Sequence, residues 1–265
     1  MSTVALLGAG RMGSALLVGM LRRGHEVLVA ESDPTRAEQL SELAGVEVCT
    51  ATAAVAAADV VVIAVKPQHV AELLIDTASS IRPHVPIVSV AAGISIAALE
   101  KAAGPGAAVI RAMPNTPALL GEGMIAISPS EVCTPEQIDT TLELLSAVGK
   151  VVVVPEAQQD AVTALSGSGP AYVFLVAEAM IDAGVGLGLE ASQARELAVQ
   201  TVSGAAAMLR ESGDDPATLR ANVTSPNGTT AAAVAALEDH ELRAAFTAAL
   251  SAAHARSIEM TSEFS

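Results

Sequence analysis

The chain has 265 residues, enough for one large domain or two ordinary ones, and is 51% hydrophobic but only 2% aromatic. With no Trp, one Tyr and three Phe, its core has to be built from Ala, Val, Leu, Ile and Met, which favours closely packed helices over a disordered chain. A net charge of −15 argues against nucleic acid or an anionic membrane surface as a partner.

The N-terminal stretch "STVALLGAGRMGSALLVGML" has the apolarity of a secretory signal. It lacks a basic start, however, and Arg11 interrupts the apolar run, so a cytoplasmic chain is expected. Within it, Val4–Leu7 reads as a short strand and Met12–Arg23 as a helix. A second strand is expected over Glu26–Ala30, followed by a helix that Asp33 caps and Pro34 opens. Val60–Val65, "VVVIAV", is a continuous β-branched run typical of a strand buried on both faces. Further strand candidates are Ile87–Val90, Ala107–Arg111 and Val151–Val154, the last after a helix begun by the capping box "TPEQ" at Thr134–Gln137. Strands alternating with helices imply a parallel, doubly wound sheet of Rossmann type.

Beyond Gln159 the strand signals stop. Helices are expected over Pro170–Leu187, Ser192–Glu211, Pro216–Asn222, Thr229–Leu237 and His240–Glu259, with Gly and Pro at the breaks. Two domains follow from this change: a dinucleotide-binding domain at 1–159 and an all-helical domain at 160–265. The longest apolar window, Ala171–Leu189, contains Glu178 and Asp182 and has no basic residue to anchor it, so it reads as a helix buried by a partner subunit rather than a membrane span. Cys49 and Cys133 are too few for a disulfide framework and suit a reducing compartment.

"GAGRMG", Gly8–Gly13, lies between the first strand and the first helix, the setting in which G-x-G-x-x-G signals a dinucleotide site. The first glycine permits the tight turn, the second lets the backbone approach a pyrophosphate, and the third allows the helix to pack closely on the strand. The end of the second strand, "AESDPTR", leaves the choice of cofactor open. Glu31 suits a ribose 2′-hydroxyl and therefore NAD, whereas Ser32 and Arg36 suit the 2′-phosphate of NADP.

Four further stretches occur in order: "AVKPQ" (Ala64–Gln68), "RAMPNTPA" (Arg111–Ala118), "LSGSGPAYVF" (Leu165–Phe174) and "VTSPNGTT" (Val223–Thr230). Together, and over nearly the whole chain, they resemble the pyrroline-5-carboxylate reductase family, which reduces the cyclic imine 1-pyrroline-5-carboxylate to L-proline in the last step of proline biosynthesis. The resemblance implies a Rossmann domain followed by a helical dimerisation domain. It also implies NADPH as cofactor with NADH accepted, and a homodimer in which each active site borrows its second half from the partner. Assembly of dimers into a decamer, a pentamer of dimers, is common in that family.

Residue by residue, the resemblance implies that Gly8, Ala9, Gly10, Arg11, Met12 and Gly13 hold the pyrophosphate and that Ser32 and Arg36 lie near the 2′-phosphate. Ala64, Val65, Lys66 and Pro67 would line the nucleotide, and Ala92, Gly93, Met113, Pro114 and Asn115 would border the nicotinamide. Ser225, Asn227, Gly228, Thr229 and Thr230 would receive the substrate, with Thr230 as the catalytic hydroxyl facing the imine nitrogen. Two departures stand out. Ala51 or Thr52 occupies a place where relatives often carry Asn, and Asn227 replaces the first glycine of an S-P-G-G turn. Asn tolerates left-handed backbone better than other non-glycine residues, so the turn is expected to survive.

The residue types fit this chemistry. A cyclic imine is itself basic, so its reduction needs a hydrogen-bonding hydroxyl and a positioned nicotinamide rather than a strong base. Backbone amides at a helix N-terminus can receive the substrate carboxylate without a cationic side chain. A β-hydroxyacid dehydrogenase shares the glycine turn but uses a lysine in its helical domain. Here Lys66, Lys101 and Lys150 all precede that domain. A nucleotide sensor without turnover would have no need of the hydroxyl-rich loop. His25, His69, His84, His240 and His254 show no metal-ligand spacing, and no metal is expected.

Overall fold

A computed structural model of the chain describes residues 2–264. They form two compact units, one of residues 2–168 with 253–264 and one of Gly169–Ala252. In the first unit, β1 (Thr3–Leu7), α1 (Arg11–Arg22), β2 (Glu26–Ala30), α2 (Pro34–Ser41), β3 (Val46–Val48), α3 (Ala51–Ala57) and β4 (Val60–Ile63) alternate strictly. They are followed by α4 (Val70–Thr77), β5 (Ile87–Ser89), α5 (Ile96–Ala103), β6 (Val109–Met113), β7 (Gly123–Pro129), α6 (Pro135–Leu145), β8 (Gly149–Val153) and the short α7 (Gln159–Val162).

The eight strands form one sheet in the order β3-β2-β1-β4-β5-β6-β7-β8, doubly wound as expected. The alternation of side chains explains the unbroken apolar runs. Val4, Leu6, Val60 and Val62 enter the core on one face, and Ala5, Leu7, Val61 and Ile63 enter the core on the other. The predicted caps also form. The Asp33 carboxylate accepts the Arg36 N–H at 3.1 Å, and the Thr134 N–H donates to Gln137 Oε1 at 2.7 Å within a complete capping box.

Two strands escape the sequence reading, and one of them adds an antiparallel pairing to the otherwise parallel sheet. β3 is three residues long with the exposed Glu47 at its centre; Val46 and Val48 stand in register with Val27 and Val29. β7 opens on glycine and ends on proline, residues that read as loop. It runs antiparallel to β6 and parallel to β8, with Ala112 opposite Ile127.

The second unit contains α8 (Gly169–Gly186), α9 (Ala191–Glu211), α10 (Pro216–Asn222) and α11 (Thr229–Asp239). The last helix, α12 (Leu242–Glu263), begins there, and its residues from Ala253 onward belong to the first unit. It starts later than the expected His240, because Glu241 takes φ +57° and interrupts the helix after α11. Phe174, Leu175 and Leu187 of the second unit are 64%, 64% and 88% exposed in the single chain. Among the described residues one stretch, Glu156–Gly186, is long and apolar enough to cross a membrane by length and composition.

Candidate active site

The strand order reverses at β1 and β4, and a doubly wound sheet binds ligand at that point, beyond the carboxyl ends of its strands. The glycine turn leaves β1 there. Gly8 has φ +93°, and a Cβ on it would stand 2.8 Å from Val65 Cγ1 and 3.0 Å from the Ala64 carbonyl oxygen. A Cβ on Gly13 would overlap the Gly8 carbonyl oxygen, so only glycine lets α1 approach β1 so closely. A Cβ on Gly10 would meet nothing within 4 Å, which leaves the backbone open to a ligand. Gly10 is the N-cap of α1 and provides no side-chain cap, so the first-turn amides of Arg11, Met12 and Gly13 face that opening without intrahelical acceptors. This arrangement fits a pyrophosphate.

At the end of β2, Glu31 turns back toward the glycine turn. Its carboxylate accepts the N–H of Ala9 at 2.8 Å and of Asp33 at 2.9 Å, and pairs with Arg36 at 3.4 Å. Burial raises the pKa of this group, but the Asp33 and Ala9 amides and Arg36 outweigh it and hold the carboxyl below its ordinary range. The bond to Ala9 spans 22 residues, and the sequence carries no signal for it. Asp33 is occupied with capping α2. Ala51 and Thr52 open α3, which Thr50 caps by accepting the Ala53 N–H at 3.3 Å.

The parallel strands β1, β4, β5 and β6 bring the predicted cofactor residues to one edge of the sheet. Ala64, Val65 and Lys66 follow β4, Lys66 being exposed ahead of the 3-10 turn Pro67–His69. Ala92 and Gly93 follow β5, and Met113 ends β6. The Asn115 side chain is held from two sides: its Nδ2 donates to the Ser166 carbonyl at 3.0 Å, and its Oδ1 accepts the Met124 N–H at 2.9 Å. The segment Thr163–Gly167 is a π-helix, a distortion that recurs at functional sites. A Cβ on Gly167 would stand 2.7 Å from Met113 Cε, so "RAMPNTPA" and "LSGSGPAY" meet at both Asn115 and Met113.

The predicted substrate residues lie in the second unit, at the start of α11. Asn227 takes φ +60°, so it adopts the left-handed backbone expected of it. Gly228 is the N-cap, and neither Ser225 nor Thr229 supplies a side-chain cap. A Cβ on Gly228 would overlap Ser225 Oγ and stand 3.1 Å from the Ser225 carbonyl oxygen. The amides of Thr229, Thr230 and Ala231 therefore begin the helix without acceptors, beside the half-buried Thr230. Among the described residues no cluster of His, Cys, Asp or Glu has metal-binding geometry.

Comparison with known proteins identifies the family. Residues 156–260 match the family described as pyrroline-5-carboxylate reductase dimerisation, and residues 3–93 match NADP oxidoreductase, coenzyme F420-dependent. Pyrroline-5-carboxylate reductase of Corynebacterium melassecola is 42% identical over 98% of this chain and 99% of its own length. The Mycobacterium tuberculosis protein of that name is 43% identical over 98% and 97%. Among solved structures, a pyrroline-5-carboxylate reductase from Coxiella burnetii superposes with a TM-score of 0.94 at 34% identity, covering 98% of both chains. A Plasmodium falciparum pyrroline carboxylate reductase with NADP bound gives 0.86 at 27% identity, again over 98% of both. By these relatives and by its own glycine turn and hydroxyl-rich loop, the chain belongs to the pyrroline-5-carboxylate reductase family.

Proposed function

We propose that this protein reduces 1-pyrroline-5-carboxylate to L-proline with NADPH, accepting NADH as well, as the last step of proline biosynthesis. The observation that carries the reading is the start of α11, where a glycine N-cap leaves first-turn amides free beside Thr230. Those amides receive the substrate carboxylate, since the positive end of the helix favours an anion. Thr230 Oγ1 hydrogen-bonds the ring nitrogen, orients it and holds its proton in place. Gly8–Gly13 and the open face at Gly10 hold the pyrophosphate, with Ser32 and Arg36 near the 2′-phosphate. Val65–Pro67 line the nucleotide, while Ala92–Gly93 and Met113–Asn115 border the nicotinamide. A bound nicotinamide supplies the hydride to the imine carbon. The nitrogen, already protonated, becomes the ring amine.

The same reading makes the exposed apolar faces of the second unit a dimer interface rather than a membrane contact, in a cytoplasmic homodimer. The loop 224–230 of one copy completes the site of the other, and dimers assemble into a decamer. The match of residues 156–260 to a dimerisation family supports the dimer.

Thr230→Ala is expected to lower kcat about 100-fold, in the range of a lost hydrogen-bonding group that positions the reacting proton, with NADP+ affinity nearly unchanged. Thr230→Val, which keeps the shape, is expected to do the same. Steady-state oxidation of NADPH with pyrroline-5-carboxylate measures both variants. Wild-type-like turnover in either would remove the hydroxyl from the mechanism.

A further inference from the structure

One buried cation connects the two loops at the carboxyl ends of β5 and β6 to the end of the chain. The Arg111 side chain is 6% exposed. Its Nη1 lies 3.4 Å from Glu156 Oε1 and its Nη2 lies 3.6 Å from Asp160 Oδ1. Glu156 Oε1 also accepts the N–H of Ile96 at 2.7 Å, three residues after Gly93. Asp160 Oδ1 accepts the hydroxyls of Ser257 at 2.7 Å and Thr261 at 3.3 Å, both in the last turns of α12.

Packing repeats the same connection. Gly93 has φ +77°, and a Cβ on it would stand 3.3 Å from the backbone and Cβ of Met260. Phe264 packs on the core cluster that includes Ala91 and Ile94. A buried guanidinium has to be paired, and two carboxylates around one cation leave an excess negative charge that needs donors. Ser257 and Thr261 provide them. Neither the glycine turn nor the substrate loop uses these residues, so the network has another role.

We infer that the last turns of α12 are a positioning element for hydride transfer, fixing through Asp160 and Arg111 the loops Ala91–Gly93 and Met113–Asn115. The inference rests on the reductase reading, which places the nicotinamide between those loops. Hydride transfer is sensitive to sub-ångström placement of the donor, and a 1 Å error costs on the order of 100-fold in rate. The network acts by holding both loops from behind through Arg111, and it touches neither substrate nor cofactor.

The test uses the full-length protein as Ser257→Ala, Ser257→Thr and Asp160→Asn, with the exposed Ser262→Ala as control. Among the described residues the Ser262 hydroxyl donates to the Ile258 carbonyl of its own helix. Ser257→Ala and Asp160→Asn are expected to lower kcat about tenfold with the NADP+ dissociation constant within about twofold of wild type. Amide hydrogen exchange over residues 91–96 and 111–115 should accelerate in both, and Ser257→Thr should restore rate and protection. If Asp160→Asn fails to fold, Ser257→Ala against Ser257→Thr decides alone. A lower Tm with unchanged kcat and unchanged exchange would make the network purely structural and overturn the inference. An equal loss of nucleotide binding and rate would overturn it too. A wild-type enzyme that binds NADP+ without turnover would overturn the reductase reading, and this inference with it.

Discussion

At the end of β2 the Glu31 side chain is withdrawn from solvent to 6% exposure, yet it stays ionised because the Asp33 and Ala9 amides and Arg36 surround it. Its folded-state pKa lies below the ordinary 4.5, so the folded state holds the proton less tightly than the unfolded chain does. The stability it contributes is therefore complete above the unfolded value and is lost as pH falls through the depressed one. Glu31→Gln is expected to lower stability most at neutral pH. Its deficit against wild type should shrink on acidification below about 4.5. Urea unfolding of both proteins at pH 7, 4 and 3 measures the gap, and a gap constant with pH would contradict the linkage. From the sequence, Glu31 was a ribose candidate on the strength of its position after a strand. Its engagement with Ala9 was not legible, because that contact depends on how two parallel strands place their ends.

At the scale of the element, the three glycines of one turn have separable roles. Gly13→Ala forces a methyl onto the Gly8 carbonyl and should cost about 1–3 kcal/mol of stability. Gly10→Ala places its methyl in open space with an ordinary backbone, so the fold should keep its Tm. On the proposed reading the same methyl lies where a pyrophosphate would approach, and NADP+ affinity should fall by about tenfold, or about 1.4 kcal/mol. Thermal unfolding and a fluorescence titration with NADP+ separate the two effects. A Gly10→Ala protein that binds NADP+ normally would contradict the assignment of the open face. The turn between α10 and α11 follows similar logic: Asn227 supplies the left-handed residue and Gly228 the close approach to Ser225. Both turns were legible because their backbone constraints are local. β3 and β7 were not, since a three-residue strand and a Gly-to-Pro strand are defined by their neighbours rather than by their own residues.

For the whole molecule, the contrast between the two units is one of burial. The sheet carries two apolar cores, whereas the helices of the second unit leave Phe174, Leu175 and Leu187 largely uncovered in the single chain. Large apolar side chains left this exposed are the kind that an interaction face covers. Phe174→Glu is expected to shift the protein toward monomer at micromolar concentration and to reduce turnover with it. Sedimentation velocity beside a rate assay checks this, and an unchanged assembly would place the interface elsewhere.

The sequence by itself determined the alternation of the six strands it made legible with their helices, the caps at Asp33 and Thr134, the glycine turn and the four motifs that identify the family. Each of these depends on residues close together in the chain, where backbone geometry and hydrophobic period act directly. Only the tertiary structure decided that β7 runs antiparallel and that Asn115 bridges Ser166 and Met124. It also decided that Glu31 is spent on the glycine turn, and that Arg111 connects two loops to the end of α12. Those contacts join residues from 9 to 101 positions apart. No local pattern encodes them, because they arise when a buried charge or amide takes the partner that the packed sheet and helices bring within reach.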